Sequence, residues 1–222
     1  MDTLLQKISV CFDDIKFIED NDPQYISLKN LYFTIQNKDF YLSLIITNAL
    51  VCYQLSSQGE EYWEEFHLYF AHKNIKNKTE IIPEIITFLK QSKGNKRILN
   101  MKIKRLEKVE LFLEKFFGNE DFYYSNMLSL QKDLAKSMKQ KINDKTIVFA
   151  IKMFGYGARN QFNNFHYFPF EICIPIDSRL TKLYQIYNTN SNMKIEEFYS
   201  LLSKKLGIPP LHLDAILWGM KI

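Results

Sequence analysis

The stretch NDKTIVFAIKMFG, residues 143–155, decides how the chain is read. Asn143 or Asp144 can cap a helix, which places Lys145 in its first turn. Ile147, Ile151 and Phe154 recur at i, i+4 and i+7 and form one apolar face directed at a core. Lys145, Phe149 and Lys152 recur at the same spacing on a second face, roughly 100° or more away. Most lysines simply solvate a surface, and this chain has 29 lysines and arginines to do so. A stripe of lysine, aromatic and lysine beside a core stripe is a less ordinary surface. Lys145 also stands at the positive end of the helix dipole, an unfavourable place for a cation.

Outward from this helix, the apolar period is mostly three to four residues, and only seven glycines and six prolines interrupt it. The chain therefore reads as nearly all helix. Leu4, Leu5, Ile8, Phe12 and Ile15 make one face of a first helix. Asp22-Pro23 opens a second, with proline in its first turn. Further helices are expected over 39–55, 60–72, 79–90, 96–117 and 125–138, with a polar link, KQKIND, before the lysine helix. The glycines of GYGAR are expected to end that helix near Phe154. The aromatic stretch NQFNNFHYFPFEICIPI follows as the longest non-helical segment, and segments of that length are often functional. Helices over 178–187, 194–206 and 210–221 complete the chain.

The totals bound the function. A chain of 222 residues with 46% hydrophobic and 15% aromatic content can bury a core. A net charge of +4 permits a polyanionic partner without requiring one. Cys11, Cys52 and Cys173 form no disulfide framework or CxxC pair, which fits a reducing, cytoplasmic compartment. His67, His72, His166 and His212 have no metal-ligand spacing. The apolar run from Leu42 to Leu55 is broken by Ser43, Thr47, Asn48 and Gln54, so it reads as a buried helix and not a membrane span.

A second stretch, FEICIPIDSRL at 170–180, delivers Asp177 from an apolar turn just before a helix starts. On its own, Asp177 reads as an N-cap for that helix. Taken with Lys145, 32 residues upstream, it reads as a carboxylate with an amine partner.

A helix, a short hairpin, a helix with lysine near its start and the turn Pro175-Ile176-Asp177 together resemble the helix-hairpin-helix DNA glycosylase superfamily. The lysine-to-aspartate separation, the string DKTIVFAIKMFGYGAR and the C-terminal PPLHLDAILW are similar to its archaeal 8-oxoguanine glycosylase branch, AGOG. The likeness covers most of the chain from Asp39 onward. It implies an all-α fold of two helical lobes with the active site in the cleft between them. One lobe would span 38–160, including the helix-hairpin-helix at 125–158, and the other 1–37 plus 161–222. The whole chain would be a single catalytic unit.

The resemblance also implies roles. Lys145 would be the nucleophile and Schiff-base lysine, with Asp177 as its carboxylate partner. Phe149 and Trp218 would sandwich the extruded base, and Asp214 would accept hydrogen bonds from the guanine edge. Gln24 and Trp63 would line the base pocket, with Lys152 at its rim. The hairpin departs from the superfamily by lacking glycine, so Lys139, Lys141 or Asn143 would hold the DNA backbone. The four-cysteine cluster of other branches is absent, which excludes an iron–sulfur cluster on ligand count, and no cofactor is expected. The partner would be damaged DNA, double- or single-stranded, met by a monomer at the nucleoid of a prokaryote, with no membrane. Trp63, Trp218 and Asp214 have plainer readings as core rings and a first-turn carboxylate. The competing functions are a helical nucleic-acid-binding module without chemistry, a helical scaffold, and a glycosylase for another base such as uracil or hypoxanthine.

Overall fold

The computed structural model describes residues 1–9 and 15–220. Phe12, Cys11 and the last residue of the expected C-terminal helix lie outside them. Among the described residues the fold is all-α, with no strand. Its helices are α1 (Asp2–Ser9), α2 (Ile15–Asp20), α3 (Pro23–Thr34), α4 (Tyr41–Val51), α5 (Gly59–Phe70), α6 (Ile81–Gln91), α7 (Leu99–Phe116), α8 (Glu120–Ser125), α9 (Met127–Met138), α10 (Lys145–Phe162), α11 (Ser178–Tyr187), α12 (Ile195–Leu206) and α13 (Pro210–Gly219). No described helix is long and apolar enough to cross a membrane.

The chain divides into two compact units. The larger comprises residues 23–166, and the smaller comprises 1–22 with 167–222. The lobe boundary expected at residue 38 falls instead at 23, because α3 packs against α5 and α10. The Tyr41 hydroxyl ties α4 to α3 by donating to the Leu28 carbonyl at 2.8 Å.

In the larger unit α10 packs chiefly on α4, and also on α3, α8 and α9. Every residue of α4 is buried, which explains its near absence of polar faces. Ile147, Ile151 and Phe154 are fully buried, as the apolar stripe of α10 predicts. The glycines of GYGAR do not end this helix, which runs on to Phe162. A Cβ on Gly157 would lie 2.5 Å from Ile45 Cδ1 and 3.0 Å from Leu42 Cδ2. Glycine is needed there for the close approach of α10 to α4, and it serves packing instead of helix termination. The helix stops at Asn163, whose left-handed backbone (φ 49°) forms the C-cap.

The smaller unit closes on its own apolar core, including Leu4, Ile8, Leu180, Phe198, Leu202 and Leu217. The aromatic segment after Asn163 has no regular structure up to Asp177. His166, in the same segment, packs on Tyr124. Its backbone N–H donates to the Tyr124 hydroxyl at 3.1 Å, and its ring lies 4.6 Å from the Tyr124 ring.

Candidate active site

The hairpin between α9 and α10 forms its turn without glycine. Lys139 takes the left-handed C-cap position itself (φ 52°), and Gln140 N–H returns to the Ala135 carbonyl at 2.9 Å. Strain at a non-glycine residue in that region is tolerated where neighbours fix the turn. Here the neighbours are side chains. Asp144 sits at the N-cap of α10 but does not cap it. Its carboxylate turns back, accepting from Lys141 N–H and Gln140 Nε2, both at 3.2 Å. Gln131 Nε2 holds the Ile142 carbonyl at 3.0 Å. Arg105 of α7 donates to Gln140 Oε1 and, at 3.0 Å, to the Thr146 hydroxyl. Lys139, Lys141 and Asn143 project from this framework and are exposed.

Lys145 is the first residue of α10 and is exposed. Its ammonium makes no hydrogen bond or ion pair among the described residues. One turn on, Phe149 is half-buried, with its ring 6.4 Å from the fully buried Trp63. The stripe then ends inside the protein. Lys152, expected at the rim of the pocket, is only 3% exposed and lies 5.4 Å from the Tyr156 ring. Burying its ammonium is costly unless polar groups accompany it.

Gln24, near the start of α3, meets the first residue of α5. A Cβ on Gly59 would lie 3.0 Å from Gln24 Nε2, so glycine leaves room for the amide. Trp63 follows Gly59 by one turn of α5, which puts Gln24, Trp63 and Phe149 in one neighbourhood. Cys52 joins them, a residue the sequence reading passed over. Its thiol is pushed up to about 12, chiefly by burial. Lys102, the Trp63 indole and Lys145 act in the opposite direction, so all three lie close to it.

In the smaller unit, Asp177 does cap a helix. Its Oδ1 accepts from Leu180 N–H at 2.8 Å, and its carbonyl accepts from the Thr181 hydroxyl at 2.7 Å. The carboxylate is half-buried, with one oxygen committed to the cap. Asp214 and Trp218 share a face of α13 at i and i+4, and both are half-buried. The buried Tyr199 phenol, which donates to the Leu180 carbonyl at 2.5 Å, is raised well above its ordinary range. Burial is the main cause, and the negative charges of Asp177 and Asp214 add to it. Both carboxylates are therefore close to one ring. Arg179 lies over the Trp218 ring at 5.0 Å and donates to the Met220 carbonyl.

A helix-hairpin-helix with an exposed lysine opening its second helix, and an apolar turn ending in a helix-capping aspartate, define a helix-hairpin-helix DNA glycosylase. Comparison with known proteins gives the particular branch. A sequence model of the AGOG family, described as N-glycosylase/DNA lyase, matches residues 3–221, and the chain belongs to that family. The N-glycosylase/DNA lyase of Methanococcus maripaludis is 44% identical over 89% of this chain and 77% of its own. That of Methanopyrus kandleri is 38% identical over 97% of this chain and 86% of its own. The fold matches the 8-oxoguanine DNA glycosylase of Pyrobaculum aerophilum, solved with 8-oxoguanosine, with a TM-score of 0.82 at 23% identity, covering 98% of this chain and 87% of that one.

Proposed function

We propose that the protein excises 8-oxoguanine from DNA and then nicks the strand, with Lys145 as the nucleophile and Asp177 as its carboxylate partner. The observation that carries this reading is the exposed, unpaired amine of Lys145 at the start of α10, one turn before Phe149, whose ring lies 6.4 Å from Trp63. Those rings suit a flat base. A base inside a duplex is out of reach, so the nucleotide must be turned out of the stack. Stacking is worth about 1–3 kcal/mol per base, which offsets much of the unstacking penalty of a few kcal/mol. Phe149 and Trp218 supply the two faces in this reading. Asp214 accepts hydrogen bonds from the guanine edge, and Gln24 and Trp63 complete the pocket.

The chemistry balances without a cofactor. The neutral Lys145 amine attacks C1′ of the sugar while the bond to the base breaks. The departing base takes the bonding electron pair and a proton. Asp177 stabilises the positive charge that builds on the sugar and helps manage the proton of the lysine. The nitrogen lone pair then expels O4′, which takes a proton as the sugar ring opens, and the resulting protonated imine acidifies the C2′ protons. Loss of one of them expels the 3′ phosphate by β-elimination, and water then releases the sugar from the lysine. The partner in this reading is damaged DNA, single- or double-stranded, and the protein acts as a monomer in the cytoplasm at the nucleoid.

Borohydride reduction in the presence of DNA containing 8-oxoguanine tests the assignment. It should leave a covalent protein–DNA adduct, which Lys145→Gln abolishes. An adduct that survives in this variant moves the nucleophile elsewhere. A panel of duplexes and single strands carrying 8-oxoguanine, uracil or hypoxanthine sets the base. Turnover of uracil or hypoxanthine in preference to 8-oxoguanine overturns the substrate, and binding without scission of any of them overturns the chemistry.

A further inference from the structure

The loop between α6 and α7 carries Lys93, Lys96 and Arg97 within five residues. All three are exposed, and their side chains make no ion pair or hydrogen bond among the described residues. A run of basic residues is usually a solvated, mobile face. This loop is instead held firmly. The carboxylate of Glu65 on α5 accepts from the Ser92 hydroxyl at 2.7 Å, Lys93 N–H at 2.6 Å and Gly94 N–H at 3.1 Å. The Gly94 carbonyl accepts from Ser56 N–H at 2.8 Å, and a Cβ on Gly94 would lie 2.6 Å from Ser57 Oγ. Asn95 is fully buried and donates to the Tyr62 hydroxyl at 3.0 Å and the Val51 carbonyl at 3.3 Å. The loop is thus pinned to the end of α4, where Cys52 follows Val51 in the chain.

The same loop is also tied to the hairpin through α7. Lys102 donates to the Asn95 side chain, and Arg105 donates to Gln140 of the hairpin. Both cations lie over the Tyr53 ring, at 5.0 and 5.6 Å. They are three residues apart on one helix face, on the order of 5 Å along the axis. The anchors of the basic loop and of the hairpin are therefore about one helical turn apart. Successive phosphates of one DNA strand are about 3.4 Å apart along the duplex axis. Two basic loops anchored to successive turns of one helix suit phosphates of a single backbone.

We propose that the loop 92–97 is a second DNA-backbone site, in which Lys93, Lys96 and Arg97 neutralise phosphates adjacent to those held by the hairpin. The proposal rests on the reading of this protein as a DNA glycosylase. Each phosphate neutralised releases condensed counterions, so the affinity of a backbone contact falls with salt in a measurable way.

The test is binding of the full chain to a duplex carrying a stable abasic-site analogue, measured by anisotropy across a salt series. The triple variant Lys93→Gln, Lys96→Gln and Arg97→Gln should lower the slope of log K against log[salt] by about 2–3, at about 0.9 per phosphate. Its thermal midpoint should match the parent, because the replaced groups are exposed and unpaired. Exchange to Lys93→Arg, Lys96→Arg and Arg97→Lys should restore the slope. A triple Gln variant with the parent slope, alongside Lys139→Gln/Lys141→Gln with a reduced one, overturns the second site and leaves the enzyme reading intact. A parent protein that does not bind the duplex at low salt overturns the enzyme reading itself.

Discussion

Arg105 of α7 donates through Nη2 to the hydroxyl of Thr146 at 3.0 Å, one residue beyond Lys145. The same nitrogen holds Gln140, whose amide reaches the Asp144 carboxylate. One guanidinium therefore sets both the hairpin and the first turn of the lysine helix. The arrangement takes the place of the glycine-built hairpin of the wider superfamily. It also gives Lys145 a fixed origin while leaving its amine unencumbered.

Arg105→Gln should slow formation of the borohydride-trapped adduct by about tenfold to a hundredfold, the range expected when a reacting group is misplaced by about 1 Å. Thr146→Val should act in the same direction, and Arg105→Lys should recover part of the rate. Single-turnover trapping at saturating DNA separates this from weakened binding. An unchanged trapping rate in Arg105→Gln would show that the hairpin alone positions the amine.

Asp177 caps α11, and in the proposed mechanism its carboxylate also serves the chemistry; the two tasks separate by substitution. Asn is as good an N-cap as Asp, so Asp177→Asn should keep the helix start and the thermal midpoint while losing most excision activity. Asp177→Ala should lose activity and also about 1 kcal/mol of stability, because Leu180 N–H loses its acceptor. Urea titration and excision assays on the pair check this. Full activity in Asp177→Asn would remove the carboxylate from the chemistry.

Gly157 tests the crossing of α10 and α4. Gly157→Val should destabilise by about 2–3 kcal/mol, since its branches would enter space held by Ile45 and Leu42. Gly157→Ala should be milder. The Ile45 methyl can shift, and alanine recovers about 1 kcal/mol of helix propensity. The urea midpoints of the two variants should rank accordingly.

Lys102 gives the fold a pH dependence. Burial lowers its ammonium from 10.5 to about 8. Between those values the folded state binds fewer protons than the unfolded state, so this group adds stability as pH rises from about 8 to about 10.5. Below about pH 8 both states are protonated and the full penalty of the buried charge is present. Lys102→Met removes that group. The stability of the parent relative to Lys102→Met should therefore rise across the window, as read from urea midpoints at pH 7.5, 9 and 10. A flat difference would mean the amine is solvated.

Local pattern determined a good deal. The stripes of α10, the starts of α3 and α11 and the buried character of α4 all follow from spacing, capping and composition, which act over one or two helical turns, whereas the pairing of Lys145 with Asp177 was implied by the family resemblance. Tertiary structure decided the rest, because those features depend on what approaches from elsewhere in the chain. Gly157 looks like part of a helix stop until α4 is seen to occupy the space of a side chain. Lys152 is only 3% exposed, which its place in the sequence does not foretell. Cys52, Arg105 and Arg179 carry no local signal, since their partners lie between 11 and 93 residues away, at Trp63, Lys145, Thr146 and Trp218. Periodicity reports which face of a helix is buried, but only packing reports which distant residue it is buried against.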